Sequence, residues 1–323
     1  MNEELATTHQ GVLIGRGEQA MEACLIDPKE QANLARRHLI EKAAFGFLWL
    51  TALVAVLALL VVVAYVCVEG AKVIDLDFLL TPPRGGLSGE GGISTTIVTT
   101  VYVVFLTLAV AAPLGIGAAV YLVEYAGEMQ GATGWAPRVV GAIRFGVEIL
   151  AGVPSIIFGL FGYALFVSAK GLGFGFSLLS ASLACACLLL PVIIRATEEA
   201  LRCVPRTYRE GSLALGTTQW QTVWGVVLPA ALPGIITGIV LSVGRVVSET
   251  AVFYVTLGGT YRLPKSLLQG GRTMAMHLYY LATDTTAFQK AMGTGAVLIV
   301  TIVLINLIIS FVSRRLTARL RGG

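Results

Sequence analysis

The sequence predicts an all-α integral membrane protein with six transmembrane helices, and three observations lead there. Of its 323 residues, 56% are hydrophobic and only 13% are charged, where soluble domains carry about 25% charged residues. Six segments hold the roughly 20 mostly apolar residues that a spanning helix requires, at about 43–67, 94–123, 142–168, 176–196, 234–257 and 293–313. Lys and Arg divide unevenly among the connections, with 13 on the side that holds both termini and 7 on the other. Basic residues accumulate in cytoplasmic loops, so both termini are expected in the cytoplasm. The formal net charge of +4 reports this orientation and gives no reason to expect nucleic acid as a partner.

Taken in order, residues 1–42 form a polar extension expected in the cytoplasm, without the short apolar core of a signal sequence. Its second half, Pro28 to Lys42, is weakly amphipathic and fits either a helix at the membrane surface or a partly disordered tail. Residues 43–93 give a peripheral first helix and an outer loop, in which Pro82-Pro83 and glycines 85, 86, 89, 91 and 92 are turn chemistry. The core domain runs from 94 to 313, and 314–323 is a basic cytoplasmic tail. Within the outer loop at 258–292, Met274 to Ala282 is apolar and aromatic but too short to cross a bilayer. It reads as a re-entrant or interfacial gate element over the outer mouth. Cys24, Cys67, Cys185, Cys187 and Cys203 are scattered and odd in number, which gives neither a disulfide framework nor a metal site.

The cytoplasmic loop between the fourth and fifth spans is the informative one. Pro205 can open a helix, because its missing N–H would have been unpaired there. Arg206 to Leu215 then reads as a short helix stopped by Gly216, a favoured C-terminal residue. Thr217 or Thr218 caps a second short helix that is expected to end near Leu228-Pro229. The result is a compact knob. Its polar residues, Arg206, Arg209, Glu210, Gln219 and Gln221, are expected to face water or a partner, with Tyr208, Leu213, Leu215, Trp220 and Val223 as apolar anchors.

This loop resembles the EAA loop of bacterial ABC importer permeases, which is written E-A-A, three residues, G, nine residues, I-x-L-P. Here it stands as Glu210-Gly211-Ser212, Gly216 and Val226-Val227-Leu228-Pro229, with Gly-Ser for Ala-Ala and Val for Ile. Further strings are similar to the phosphate-importer branch, the PstA-type permease subunits. These are Gly91-Gly92-Ile93, Pro113 to Gly117, Tyr121-Leu122-x-Glu124-Tyr125-Ala126, Gly152 to Ile156, and Gly244-Arg245-x-x-x-Glu249-Thr250. The resemblance covers most of 90–313. It implies the type I importer permease fold (MetI-like) and a place in the bacterial cytoplasmic membrane. It further implies a second, related permease forming a heterodimer, two ATP-binding subunits held by the EAA loops, and an external phosphate-binding protein that delivers inorganic phosphate. Tyr208, Arg209, Glu210, Gly211, Ser212, Leu215, Gly216, Leu228 and Pro229 are the coupling residues it implies. The chain has no G-x-x-x-x-G-K-[ST] loop: Gly11 to Gly17 lacks the Lys, and Gly258 to Ser266 has the wrong spacing. It is therefore expected to bind no cofactor and not to be an enzyme, with ATP and Mg held in the partner ATPase subunits.

Ionisable side chains within spans pair, face a water-filled path, or do both. Arg245 and Glu249 are four apart on one helix face. Either they neutralise each other and fix packing, or Arg245 lines the path and meets phosphate oxygens with its guanidinium fork while Glu249 tunes it. Arg144 and Glu148 repeat the spacing in the third span. Arg144 could be an interfacial anchor, and Glu148 lies deeper, before the Gly152-Val153-Pro154-Ser155 break. Such a break either frees backbone N–H groups toward an anion or is a packing kink, and Ser155 is a candidate path residue. His277 is expected to be structural and hydrogen-bonded, and Glu124 a helix-end charge. Another oxyanion such as sulfate or molybdate shares this chemistry. An ion-coupled carrier would have no use for the knob.

Overall fold

The computed structural model describes residues 28–85, 89–126 and 136–321, so the extension at 1–27, with Cys24, lies outside the described residues. The chain divides into two compact units, Met1–Ala64 and Tyr65–Gly323. In the first, residues from Pro28 onward belong to helix α1 (Pro28–Ala71), a 44-residue helix that includes both the amphipathic stretch and the first span. Pro28 to Lys42 is thus one helix with the span, because no glycine or proline interrupts the sequence between them. Nothing in the most apolar part of Ile40–Ala71 is buried, as expected of a helix whose side chains meet lipid.

The second unit takes in the end of α1 from Tyr65, then a short helix α2 (Leu76–Leu80) and a two-stranded hairpin, β1 (Pro83–Gly85) and β2 (Glu90–Gly91). Helix α3 (Ser94–Val120) follows and ends in a π-helical turn, Tyr121–Tyr125. Its first half is rich in threonine, and Thr99 and Thr100 return their hydroxyls to the carbonyls of Thr95 and Thr96 at 2.7 Å each. That back-bonding lets polar side chains sit inside an apolar bundle without unpaired donors.

The third expected span, 142–168, is broken. Helix α4 (Ala136–Ala151) and helix α5 (Ser155–Gly162, continued by a π turn Tyr163–Val167) meet at 105°. Pro154 has no N–H to continue α4 and drives the preceding residue out of the α region; its own backbone, φ −56° and ψ 139°, turns the chain into α5.

Helix α6 (Leu178–Arg202) is the most enclosed span and packs against α3, α4, α5 and the fifth span. Its first N–H groups are met from the far end of the bundle, where Leu178 and Leu179 donate to the carbonyls of Gln269 and Leu267, both at 2.9 Å. Helices α7 (Arg206–Ala214) and α8 (Gln219–Thr222) form the knob. A π turn, Val223–Val227, then joins α8 to helix α9 (Leu228–Ser248) without a break. The knob's second helix therefore does not end near Pro229, and the fifth span runs Gln219–Ser248, not 234–257. Pro229 sits at the start of α9, where a proline is tolerated.

The chain breaks instead at Glu249, with φ −72° and ψ 130°, before helix α10 (Ala251–Thr256). Glu249 Oε1 accepts from the N–H groups of Ala251 and Val252 at 3.2 and 3.4 Å, which supplies a helix start inside an apolar run. Helix α11 (Met274–Thr283) packs on helix α12 (Phe288–Arg321), the last span, and on α3. Met274, Met276, His277 and Leu281 of α11 are buried, so this element is inside the bundle and does not lie flat at an interface. The tail expected from 314 continues α12 as helix to Arg321.

Two apolar clusters fill the unit. One surrounds Phe158, Cys185, Leu189, Val243, Val247, Phe253 and Met276; the other, at the knob end, holds Leu122, Ile194, Leu201, Val204, Val227 and Ile235. Close approach of α6 and α9 depends on small residues, since a Cβ on Gly234 or Gly238 would come within 2.6 or 2.5 Å of the Ala200 or Ala196 methyl. Gly238→Ala should cost about 1–3 kcal/mol through overpacking. Gly244→Ala, which meets nothing within 4 Å, should be neutral or stabilising through helix propensity. Thermal unfolding of the two variants in detergent checks the contrast.

Candidate transport site and coupling knob

The knob is built from local chemistry. Pro205 (φ −57°, ψ 141°) leads into α7, and Gly216 at φ +85° reverses the chain, a conformation that costs glycine little. Thr218 then caps α8 in a reciprocal box with Gln221: the Gln221 N–H donates to Thr218 Oγ1 at 3.3 Å, and the Thr218 N–H donates to Gln221 Oε1 at 2.9 Å. Ser212, Thr217 and Thr222 bring their hydroxyls together at 2.8–3.0 Å and tie the two helices at their waist. The serine that stands where the loop pattern has alanine is therefore used internally.

Of the expected coupling residues, Tyr208, Glu210, Gly211, Leu215 and Gly216 are exposed, and Leu215 keeps 86% of its surface. Trp220 and Trp224 are also exposed and lie with ring centroids 5.2 Å apart. Leu228 and Pro229 are half-buried in the first turn of α9. Arg209 departs from the expectation that it faces water or a partner. It turns inward against Glu124, which is buried and not a mere helix-end charge. Nothing in the spacing of either residue announces the other, since 85 positions separate them.

Within the spans, Arg245 Nη2 lies 3.7 Å from Glu249 Oε2, so this pair forms as its spacing suggests. The two ends differ. The Arg245 side chain is 52% exposed and that of Glu249 6%, because the Glu249 carboxylate also starts α10. Arg144 and Glu148 do not pair with each other. Both cross to α6, Arg144 Nε to Glu198 Oε1 at 3.5 Å and Glu148 Oε1 to Arg195 Nη2 at 3.4 Å. An Arg preceding a Glu by four residues is the weaker order on a helix, and α6 offers opposite charges at Arg195 and Glu198. Glu148 and Arg195 are both substantially exposed in this chain, whereas Arg144 is held further in and donates from Nη2 to the carbonyl of Leu122 at 2.7 Å. Arg195 and Glu198 are not among the site residues expected from the sequence; Arg195 sits at the end of the apolar run and Glu198 just beyond it, beside Glu199. Ser155 is half-buried as the first residue of α5.

At the far end a buried cation organises the loop before α11. The Arg272 guanidinium lies between the rings of Tyr261 and Tyr280, 4.2 and 4.1 Å from their centroids, and its Nε donates to the Gly259 carbonyl at 3.0 Å. Stacking on both faces suits guanidinium, which is weakly hydrated. His277, beside it, is buried, and among the described residues its Nδ1 has no hydrogen-bond partner, in contrast to the expected role. Burial, then the Arg272 and Lys290 cations, push its pKa down to about 4.

Among the described residues, five helices long and apolar enough to cross a membrane, a sixth passage where the bent α4–α5 pair is one span, and an exposed two-helix knob that runs into α9 define a multi-pass membrane protein. Residues 113–322 match the family described as binding-protein-dependent transport system inner membrane component, and the chain belongs to that family. It is 35% identical over 289 residues to the phosphate transport system permease protein PstA 1 of Mycobacterium tuberculosis (strain CDC 1551 / Oshkosh), covering 87% of this chain and 91% of the relative. It is 32% identical over 287 residues to the probable ABC transporter permease protein YqgI of Bacillus subtilis (strain 168), covering 84% and 94%. A chain in the crystal structure of a bacterial alginate ABC transporter, bound to its alginate pentasaccharide-loaded periplasmic protein, superposes with a TM-score of 0.63 at 14% identity. It covers 88% of this chain and 97% of that one. That likeness shows the ABC importer permease fold expected from the sequence.

The surroundings of His277 make stability depend on pH. Its folded pKa lies below the ordinary 6.5, so the unfolded chain takes up the proton first. The stability it contributes is full above 6.5 and is lost as pH falls toward 4. The wild type should melt at a lower temperature at pH 5 than at pH 7, and His277→Gln should flatten that difference in detergent-solubilised protein.

Proposed function

We propose that this chain is the membrane-spanning permease subunit of an ATP-driven phosphate importer, forming half of the translocation path. The knob carries the reading. It is an EAA loop whose exposed Tyr208, Leu213, Leu215 and Trp220 suit a groove on another protein, and its second helix is one piece with a spanning helix. A carrier driven by an ion gradient would need no such handle. The chain works with a second, related permease, two ATPase subunits that hold ATP and Mg, and an external binding protein, and it catalyses no reaction itself. Both termini lie in the cytoplasm, with the knob. Phosphate as substrate is supported by the name of the mycobacterial relative, a phosphate transport system permease protein, and by Arg245, half-exposed with one long ion pair. Such a guanidinium keeps donors for a tetrahedral oxyanion. Glu249, Glu148, Arg144 and Ser155 complete the path-side set. Transport proceeds by alternating access, in which closure of the ATPases favours one arrangement of the bundle through differential affinity for the two states.

The test is ATP-dependent phosphate uptake into proteoliposomes that hold the complete assembly, with sulfate as competitor. Arg245→Gln should lower uptake roughly 10- to 100-fold, the range of lost charge-assisted hydrogen bonds, while assembly persists. Unchanged uptake in this variant would reduce Arg245 to packing, and transport of sulfate in place of phosphate would reassign the substrate. In the same vesicles Gly216→Pro should leave hydrolysis without transport, because proline cannot take φ +85°. Normal transport there would sink the coupling role of the knob.

A further inference from the structure

The inward-turned Arg209 is the best-satisfied charged side chain in the knob. Its Nε and Nη2 grip both oxygens of Glu124, at 3.0 Å to Oε2 and 2.6 Å to Oε1. Nη2 also donates to the Leu201 carbonyl at 2.9 Å and Nη1 to the Val204 carbonyl at 2.8 Å. Those carbonyls belong to the end of α6 and the residues just after it, where regular intrahelical bonding runs out; the Leu201 carbonyl also accepts the Val204 N–H at 3.3 Å. The other arm of the knob joins the same point, since Gln219 Nε2 donates to the Glu124 main-chain carbonyl at 2.9 Å. The Glu124 side chain is 7% exposed and that of Arg209 20%.

Glu124 lies in the π turn that ends α3, and the turn explains a second connection. Ala126 N–H bonds back to the Tyr121 carbonyl at 2.9 Å, five residues away. A regular helix would have given that N–H to Leu122. The Leu122 carbonyl is thereby left free to accept from Arg144 Nη2 on α4, and Arg144 is itself paired with Glu198 of α6. One five-residue turn thus receives the knob through Glu124 and the broken span through Leu122.

We propose that the Tyr121–Tyr125 turn, held by Glu124 and Arg209 as positioning residues, is the joint through which displacement of the knob reaches the broken α4–α5 span. The knob is already continuous with α9. The joint adds α3, the end of α6 and, through Arg144, α4, so that a pull on the knob moves these elements together. This rests on the coupling role proposed above and names the residues that perform it inside the membrane subunit. Arg209 then serves the permease side of the knob, leaving Tyr208, Leu213, Leu215 and Trp220 to meet the partner.

The experiment measures phosphate uptake and ATP hydrolysis in the same proteoliposomes containing the complete assembly. Glu124→Gln removes the charge and keeps the shape. ATPase subunits should remain bound and hydrolysis should persist, while phosphate moved per ATP falls at least about fivefold, the lower range of coupling free energies. Arg209→Gln should uncouple similarly, and the double variant should be no worse than the poorer single one, because the two residues act as a unit. Should Glu124→Gln fail to assemble, Glu124→Asp keeps the charge at a shorter reach and should give an intermediate ratio. An unchanged ratio in assembled Glu124→Gln or Glu124→Asp overturns the joint, as does a proportional loss of hydrolysis and uptake. If the wild-type assembly itself shows no ATP-driven uptake, the coupling reading falls and the joint with it. A wild type that transports beside a variant with an unchanged ratio removes the joint alone.

Discussion

Within a bilayer there is no water to satisfy a backbone N–H or C=O, so each place where a spanning helix stops or opens must provide partners from the protein itself. The particular form of this bundle follows from that requirement. At Glu249 the carboxylate supplies acceptors for the first N–H groups of α10. At the start of α6 the loop from the far end supplies the carbonyls of Gln269 and Leu267. Beyond the end of α6 and at the π turn after α3, arginine side chains supply the donors. Each irregularity is therefore also a contact between elements distant in sequence, and together they lock the bundle at the points where its helices are interrupted.

The same requirement orders the charges. Arg144, Glu198, Arg195 and Glu148 could have paired within their own helices but instead link α4 to α6. Pairing across helices satisfies the charge and fixes the position of the α4 arm of the broken span, which a pair confined to α4 could not do. Buried ion pairs add little net stability over apolar packing, and their better-attested use is to specify one arrangement among several. Glu124 with Arg209 fits that use, as both residues are tied to main-chain groups as well as to each other. Arg245 is different, half exposed and bound to a single carboxylate oxygen at long range.

Much of the fold was legible in the sequence because hydrophobic length is a strong signal in membrane proteins. The spans beginning near 43, 94, 176 and 293 appear where the apolar runs lie. The turn of the knob was legible, since the Gly216 stop and a cap at Thr217 or Thr218 are local chemistry, whereas the Gln221 half of the capping box, the run into α9 and the inward turn of Arg209 were not. The fifth span was misplaced for a physical reason. Val223 to Leu228 is apolar and prolongs the knob into α9, while the stop at Glu249 comes from a side chain that supplies the start of the next helix in a stretch with no glycine or proline to mark a break. The cross-helix pairs were illegible because an Arg four residues before a Glu looks self-sufficient, and only the fold shows that α6 presents a better partner. Glu124 reads as a helix-end charge for the same reason, its partner being 85 residues away.

The π turns bear on how such a bundle moves. Among the described residues three occur, after α3, after α5 and between α8 and α9, and in each a hydrogen bond spans five residues instead of four, leaving a carbonyl short of its usual partner. The turns after α3 and before α9 flank the knob, one reached through Glu124 and the other by direct continuity. Were the turn after α3 to return to regular α geometry, the Leu122 carbonyl would take back a backbone N–H and Arg144 would lose that acceptor. The knob is bordered by two such turns. Gly216 and the hydroxyl cluster of Ser212, Thr217 and Thr222 keep the knob itself stiff. On the proposed coupling role, displacement of a stiff knob would pass into these turns, and the one after α3 holds Arg144 of the broken span through the Leu122 carbonyl.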